Sequence, residues 1–248
     1  MSSLKSLFFF TLSLGSVAAE VYHNAIVDRY FSSYIGAEDI LSAHRGLEYL
    51  QDSIYLPEHP RRGFWIGTER FCELFFIWNP IGETAATTQH EVFGHGYRLR
   101  SLNRDRAEVA KYKIDVPFPY GPGGGSTSFR YNRKKVTAYQ DLAVTAAGVE
   151  STAILANRLK LQWLQRGDID ARESNLYINA EHDLTNYIWI TDSHDVNGHG
   201  DIAEYVHDLN KTYPHGHLTV SSLKRQAFVN LLDPFTYLFY LRLVEICG

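Results

Sequence analysis

The chain has 248 residues, with 24 Lys and Arg against 28 Asp and Glu, and a formal net charge of −4 with both signs mixed along its length. That balance leaves neither nucleic acid nor an anionic membrane as an evident partner. Cys72 and Cys247 are the only cysteines, enough for one bridge after export but not for a disulfide scaffold.

Residues 1–19 have the order of a secretory signal peptide. Lys5 supplies positive charge, residues 7–14 an apolar core with three consecutive Phe, and Val17-Ala18-Ala19 a small-residue cleavage site. Cleavage before Glu20 would leave residues 20–248 as a single domain, secreted or periplasmic. Over residues 21–55 apolar positions recur at helical spacing, which predicts two helices broken near residues 33–36. Leu56-Pro57-Glu58-His59-Pro60 then marks a loop. Residues 64–79 are dense in aromatics but carry Arg70 and Glu73, so they fit a core helix or a buried strand better than a membrane span.

A helix is expected over residues 83–102, and it contains Thr87-Thr88-Gln89-His90-Glu91-Val92-Phe93-Gly94-His95-Gly96. His90, Glu91 and His95 lie within six residues. Metal-dependent hydrolysis uses this set: neutral imidazoles hold Zn²⁺, and a neighbouring carboxylate takes a proton from water at the metal. In the commoner His-Glu-x-x-His order the histidines are about four apart and share a helical face. Here they are five apart, which on a regular helix turns the second imidazole roughly 140° from the first. A single π-turn would absorb the extra residue, and Gly94 is the residue type that tolerates such irregularity.

His-Glu-x-x-Gly-His resembles the zinc motif of the dipeptidyl peptidase III family, whose third protein ligand is a Glu on a second helix. The resemblance covers the two helices only. It implies a zinc site in which Glu150, sixty residues after His90, is the third ligand. Glu150 also stands out by itself. Among Ala143, Val144, Ala146, Ala147, Val149 and Ala153 it is a lone carboxylate on an apolar helix, read over residues 136–163, and a buried carboxylate needs a cation or strong hydrogen bonds. Asn157, seven residues on, would support it from nearly the same face.

Between the two helices, residues 114–120 with Pro117 and Pro119 read as extended. Gly121-Pro122-Gly123-Gly124-Gly125-Ser126 lacks the Lys of a phosphate-binding loop. It is either a surface loop or, through Gly123, Gly124 and Gly125, a backbone surface that binds extended substrate beside the metal. A further helix is expected over residues 174–190. Residues 192–201 suggest a metal loop, but a calcium loop begun at Asp195 would place Val206 where a bidentate Glu is required. Asp201 with Glu204 instead reads as a capping-box-like pair, and His194 and His199 as structural residues of a loop that could also reach the zinc site. Residues 220–246 are apolar, interrupted by Asp233-Pro234, and Arg242 and Glu245 argue against a transmembrane helix.

The sequence therefore predicts a mainly α, single helical zincin-like domain with a small strand element near the metal site. It predicts an exported zinc-dependent hydrolase, a peptidase acting on peptide or protein. His90, His95 and Glu150 would bind Zn²⁺ and Glu91 would act as general base, with His182, His199 and nearby tyrosines as unranked candidates for the oxyanion donor. Two other readings stay open: a non-catalytic exported metal-binding or structural protein, and an iron or manganese enzyme using Glu91, His95 and Glu150.

Overall fold

Small residues at three- and four-residue spacing let one long helix act as the axis of the molecule. The computed structural model describes residues 10–11, 24–54, 64–132, 134–191 and 200–247. Nearly all of the signal region, including its cleavage triplet, lies outside them. Strand β1 (Phe10–Thr11) pairs antiparallel with β2 (Asn24–Ala25), and helix α1 spans Ser33–Ile54. A continuous helical rod over residues 64–101 follows. It consists of α2 (Phe64–Glu73), a π segment (Leu74–Trp78), α3 (Asn79–Thr88), a second π segment (Gln89–His95) and α4 (Gly96–Ser101).

Strands β3 (Ala107–Ile114) and β4 (Gly125–Tyr131) then form an antiparallel hairpin, Ala107 opposite Tyr131 and Ile114 opposite Gly125. The axial helix α5 is Ala138–Arg166. A short 3₁₀ turn (Ala171–Glu173) leads to α6 (Ser174–Glu181), α7 (Asp183–Ile190) and α8 (Asp201–Thr212). After α9 (Val220–Ala227), a 3₁₀ turn (Phe228–Leu232) precedes α10 (Pro234–Cys247). Among the described residues no helix is long and apolar enough to cross a membrane.

Helix α5 starts at a capping box, Thr137 with Gln140, and stops at Gly167, whose left-handed φ of 70° releases the chain from the helix. Its buried positions Leu155, Leu159 and Trp163 meet Leu41 of α1, Ala86 of α3 and Leu176 and Tyr177 of α6 in the main core. Leu99, Ala107 and Val144 seal the rod and hairpin against α5, while Ile188, Ile202 and Ala227 join α7, α8 and α9.

Several element boundaries differ from expectation. Residues 24–32 are not helical, because the Asp28 carboxylate accepts the backbone N–H groups of Tyr30 and Ser32 and closes a turn that starts α1. Residues 64–79 are helical, and they run without a break into the motif helix. The stretch 174–190 is broken at His182.

Candidate metal centre

The second π segment sets the histidines. Its i→i+5 bonding stacks residues five apart, so the rings of His90 and His95 lie 4.9 Å apart and their Nε2 atoms 3.1 Å apart. Four carbonyls of the segment also receive a side-chain donor from outside it or from the next turn. Ser151 Oγ donates to Gln89 O (2.9 Å), Thr127 Oγ1 to Glu91 O (3.0 Å), Arg100 Nη2 to Val92 O (2.6 Å) and Ser33 Oγ to Phe93 O (2.6 Å). Buried carbonyls loosened by the wider turn are thereby kept satisfied.

Close approach of α5 completes the support. A Cβ on Gly94 would lie 2.7 Å from the Ala147 carbonyl, and one on Gly148 would lie 2.2 Å from His90 Nε2. Both positions need glycine for space rather than for φ. The Val144 carbonyl accepts from His95 Nδ1 at 2.7 Å, and Asp183 Oδ2 accepts from His90 Nδ1 at 2.8 Å and from the Thr152 hydroxyl at 2.7 Å. With each Nδ1 fixed as donor, each Nε2 directs its lone pair inward, the arrangement that outer partners impose on metal-binding histidines.

The third inward atom is Asp201 Oδ2, 3.1 Å from both Nε2 atoms. His90, His95 and Asp201 form a group that could hold a metal ion. Two donors each about 2.0–2.1 Å from a tetrahedral ion stand roughly 3.3 Å apart, so the triangle fits with a shift of a few tenths of an ångström. Three inward lone pairs repel unless a positive centre sits among them. Without a metal that centre is a proton: burial opposes a charge on His90, but the hydrogen bonds and charges of Asp183 and Asp201 prevail, and its pKa is pushed up to about 10. Burial likewise opposes the Asp201 carboxylate, yet the two imidazoles hold it well below the usual carboxylate range.

Glu150 is not part of this group. Its side chain is 54% exposed and pairs with Arg98 Nη2 at 3.1 Å. The α5 face that meets the histidines is that of Val144, Gly148 and Thr152. Glu150 lies two residues from Gly148, about 200° around the helix, and Asn157 is exposed with it. The ligand set Glu91, His95 and Glu150 fails for the same reason, and its undistorted helix is replaced by a π segment. Asp201 is also not half of a capping box. Gly200 is the N-cap and Asp201 the first residue of α8, with its carboxylate turned to the imidazoles. The signal for Asp201 was its place at the end of a polar, His-rich loop; His194 and His199 in that loop lie outside the described residues. Asp183 and Thr152 had no separate signal.

Glu91 is buried beside His90, its Oε2 accepting from the Thr127 hydroxyl at 2.7 Å. Together they border a cleft of about 180 Å³ lined also by Thr87, Gly124, Gly125, Asp183 and Tyr187. Gly124 and Gly125 thus face the cleft, whereas Gly123 lies against the Glu83 carboxylate, its φ of 71° turning the chain away. Tyr187 stacks on His90 at 5.2 Å and 8°. Burial, then the charges of Asp201, Asp183 and Glu91, raise its pKa, so the phenol keeps its proton. His182 is elsewhere, its Nε2 3.2 Å from the Thr236 hydroxyl.

These features define a mainly α protein with a buried two-histidine, one-aspartate group suited to a metal. No protein-family model, curated protein or solved structure matches the chain.

Proposed function

We propose that the protein is a zinc-dependent hydrolase that cleaves peptide bonds, with His90, His95 and Asp201 as ligands. The supporting observation is Glu91, a buried carboxylate next in sequence to one ligand and on the wall of the same cleft. Bordering the cleft beside a ligand is the position that a general base requires. Zinc held there would act as a Lewis acid and lower the pKa of a water. Glu91 would take that water's proton and pass it to the leaving amine, with the Thr127 hydroxyl fixing one of its oxygens. Tyr187 supplies a neutral O–H donor for charge developing on the substrate carbonyl. Gly124 and Gly125 form the lip where no side chain obstructs an extended chain. The motif's resemblance to the dipeptidyl peptidase III zinc helix favours peptide over other substrates, although the third ligand comes from another helix.

Elemental analysis and a peptide library test this together. Wild-type protein should carry one zinc and hydrolyse peptides, and Glu91→Gln should keep the zinc while losing at least about a thousandfold in turnover. Zinc without hydrolysis of any peptide would make it a metal-binding protein. Iron in the site would assign it to the oxygenase-type chemistry that two histidines and a carboxylate also support.

A further inference from the structure

We infer that one end of the molecule docks on an anionic bilayer surface, and this stands independently of the hydrolase reading. The docking end comprises the last turn of α7, the 3₁₀ turn over residues 228–232 and the start of α10. Ile190, Val229 and Leu232 are 78%, 68% and 69% exposed, and Trp189, Phe228 and Tyr237 are exposed beside them. They form one surface. The Trp189 and Phe228 rings meet edge to face at 5.2 Å, Asn230 Nδ2 donates to Thr185 Oγ1 at 3.0 Å, and the Tyr237 hydroxyl donates to Leu231 O at 2.8 Å. The turn is therefore tied to both helices and presents its apolar side chains outward in a fixed arrangement, where a water-facing surface would carry polar ones.

Local charge selects the partner. Residues 220–232 contain Lys224 and Arg225 and no acid, while Arg242 further along α10 is engaged by Asp168 at 3.3 Å. Asp233 is turned inward, accepting from Lys160, the Tyr177 hydroxyl and Thr236. Lys224 and Arg225 stand on α9 one turn before the apolar turn, and Arg225 is exposed. Basic residues beside apolar tips, with Trp and Tyr at headgroup depth, suit an anionic interface. A second copy packed face to face would bring the same cations together. Docking would also place the metal centre near lipid. Helix α7 begins at Asp183, which holds His90, and ends at Ile190, about 10 Å away along the axis.

Sedimentation with lipid vesicles tests this, using protein recovered after export. Vesicles of phosphatidylcholine with roughly one-third phosphatidylglycerol should bind the protein, less so as salt is raised, with a blue shift in Trp emission. Val229→Asp with Leu232→Asp should lower that binding by more than about tenfold, with circular dichroism and metal content unchanged. Lys224→Glu with Arg225→Glu should weaken binding to the anionic vesicles. The inference is overturned by failure to bind, by equal binding to pure phosphatidylcholine, or by variants that bind like wild type. Self-association abolished by the Val229 and Leu232 changes would instead assign the surface to a second copy.

Discussion

Asp201→Asn keeps the volume of the side chain and removes the charge that both imidazoles face. Losing a supporting partner of a metal ligand costs about 10–100-fold in affinity, so replacing a charged oxygen that faces the ion by a neutral amide should cost at least about a hundredfold. Glu150→Gln is the matched control. Its carboxylate is exposed and paired with a partly exposed Arg98, so the change should leave metal affinity unaltered and stability within about 0.5 kcal/mol. Competition with a chromophoric chelator measures both. The opposite ranking would restore Glu150 as the third ligand.

For whole elements, the decisive contact is α5 against the second π segment. Gly148→Ala touches no ligand chemically, yet its new methyl would lie 2.2 Å from His90 Nε2. Either the imidazole or the helix must move. The variant should lose at least about tenfold in metal affinity and about 1–3 kcal/mol in stability through overpacking. Gly46→Ala in α1 gives the reverse, because a Cβ there meets nothing within 4 Å. It should gain about 0.5–1 kcal/mol from helix propensity and leave the metal site as it was. Urea denaturation of both variants with metal titration checks the contrast, and equal effects at the two glycines would remove the steric account.

At the scale of the molecule, residues far apart in sequence are joined at the end of α5 by a partly buried ionic network. Arg172 binds Asp170 at 2.8 Å and Asp52 of α1 at 2.7 Å, and Arg45 and Arg166 both bind the buried Glu173. Burial pushes the Asp170 carboxyl up, but its hydrogen bonds to Arg172 and that residue's charge outweigh burial and hold it below the usual value. A carboxyl depressed in the folded state stabilises above its unfolded pKa, near 3.9, and that contribution is lost as pH falls through the folded value. Asp170→Asn should therefore cost about 1–3 kcal/mol at pH 7, with the gap to wild type closing below about pH 4. A gap that stayed constant from neutral to acid pH would show that the charge is not involved.

The mainly helical class, the π-turn and the pairing of His90 with His95 were legible in the sequence because they depend on neighbours within a few residues. Local spacing shows that five residues cannot share a regular helical face, and Gly94 marks where the helix can yield. Glu150 was misplaced because an apolar run of small residues does not say which side of a helix is buried. Only the packing of Gly94 on Gly148 decided that, and it turned Glu150 to solvent. Asp201 reads as a cap in the sequence because a carboxylate at the start of a helix has the same signature whether it caps the helix or leaves it. Its place was decided by α8 packing across α5, which brings Asp201, 111 positions along the chain from His90, to 3.1 Å from that ring's Nε2. Lys224 and Arg225 precede the apolar turn directly in sequence, but only the fold shows that Val229 and Leu232 face outward while Lys160 draws Asp233 inward.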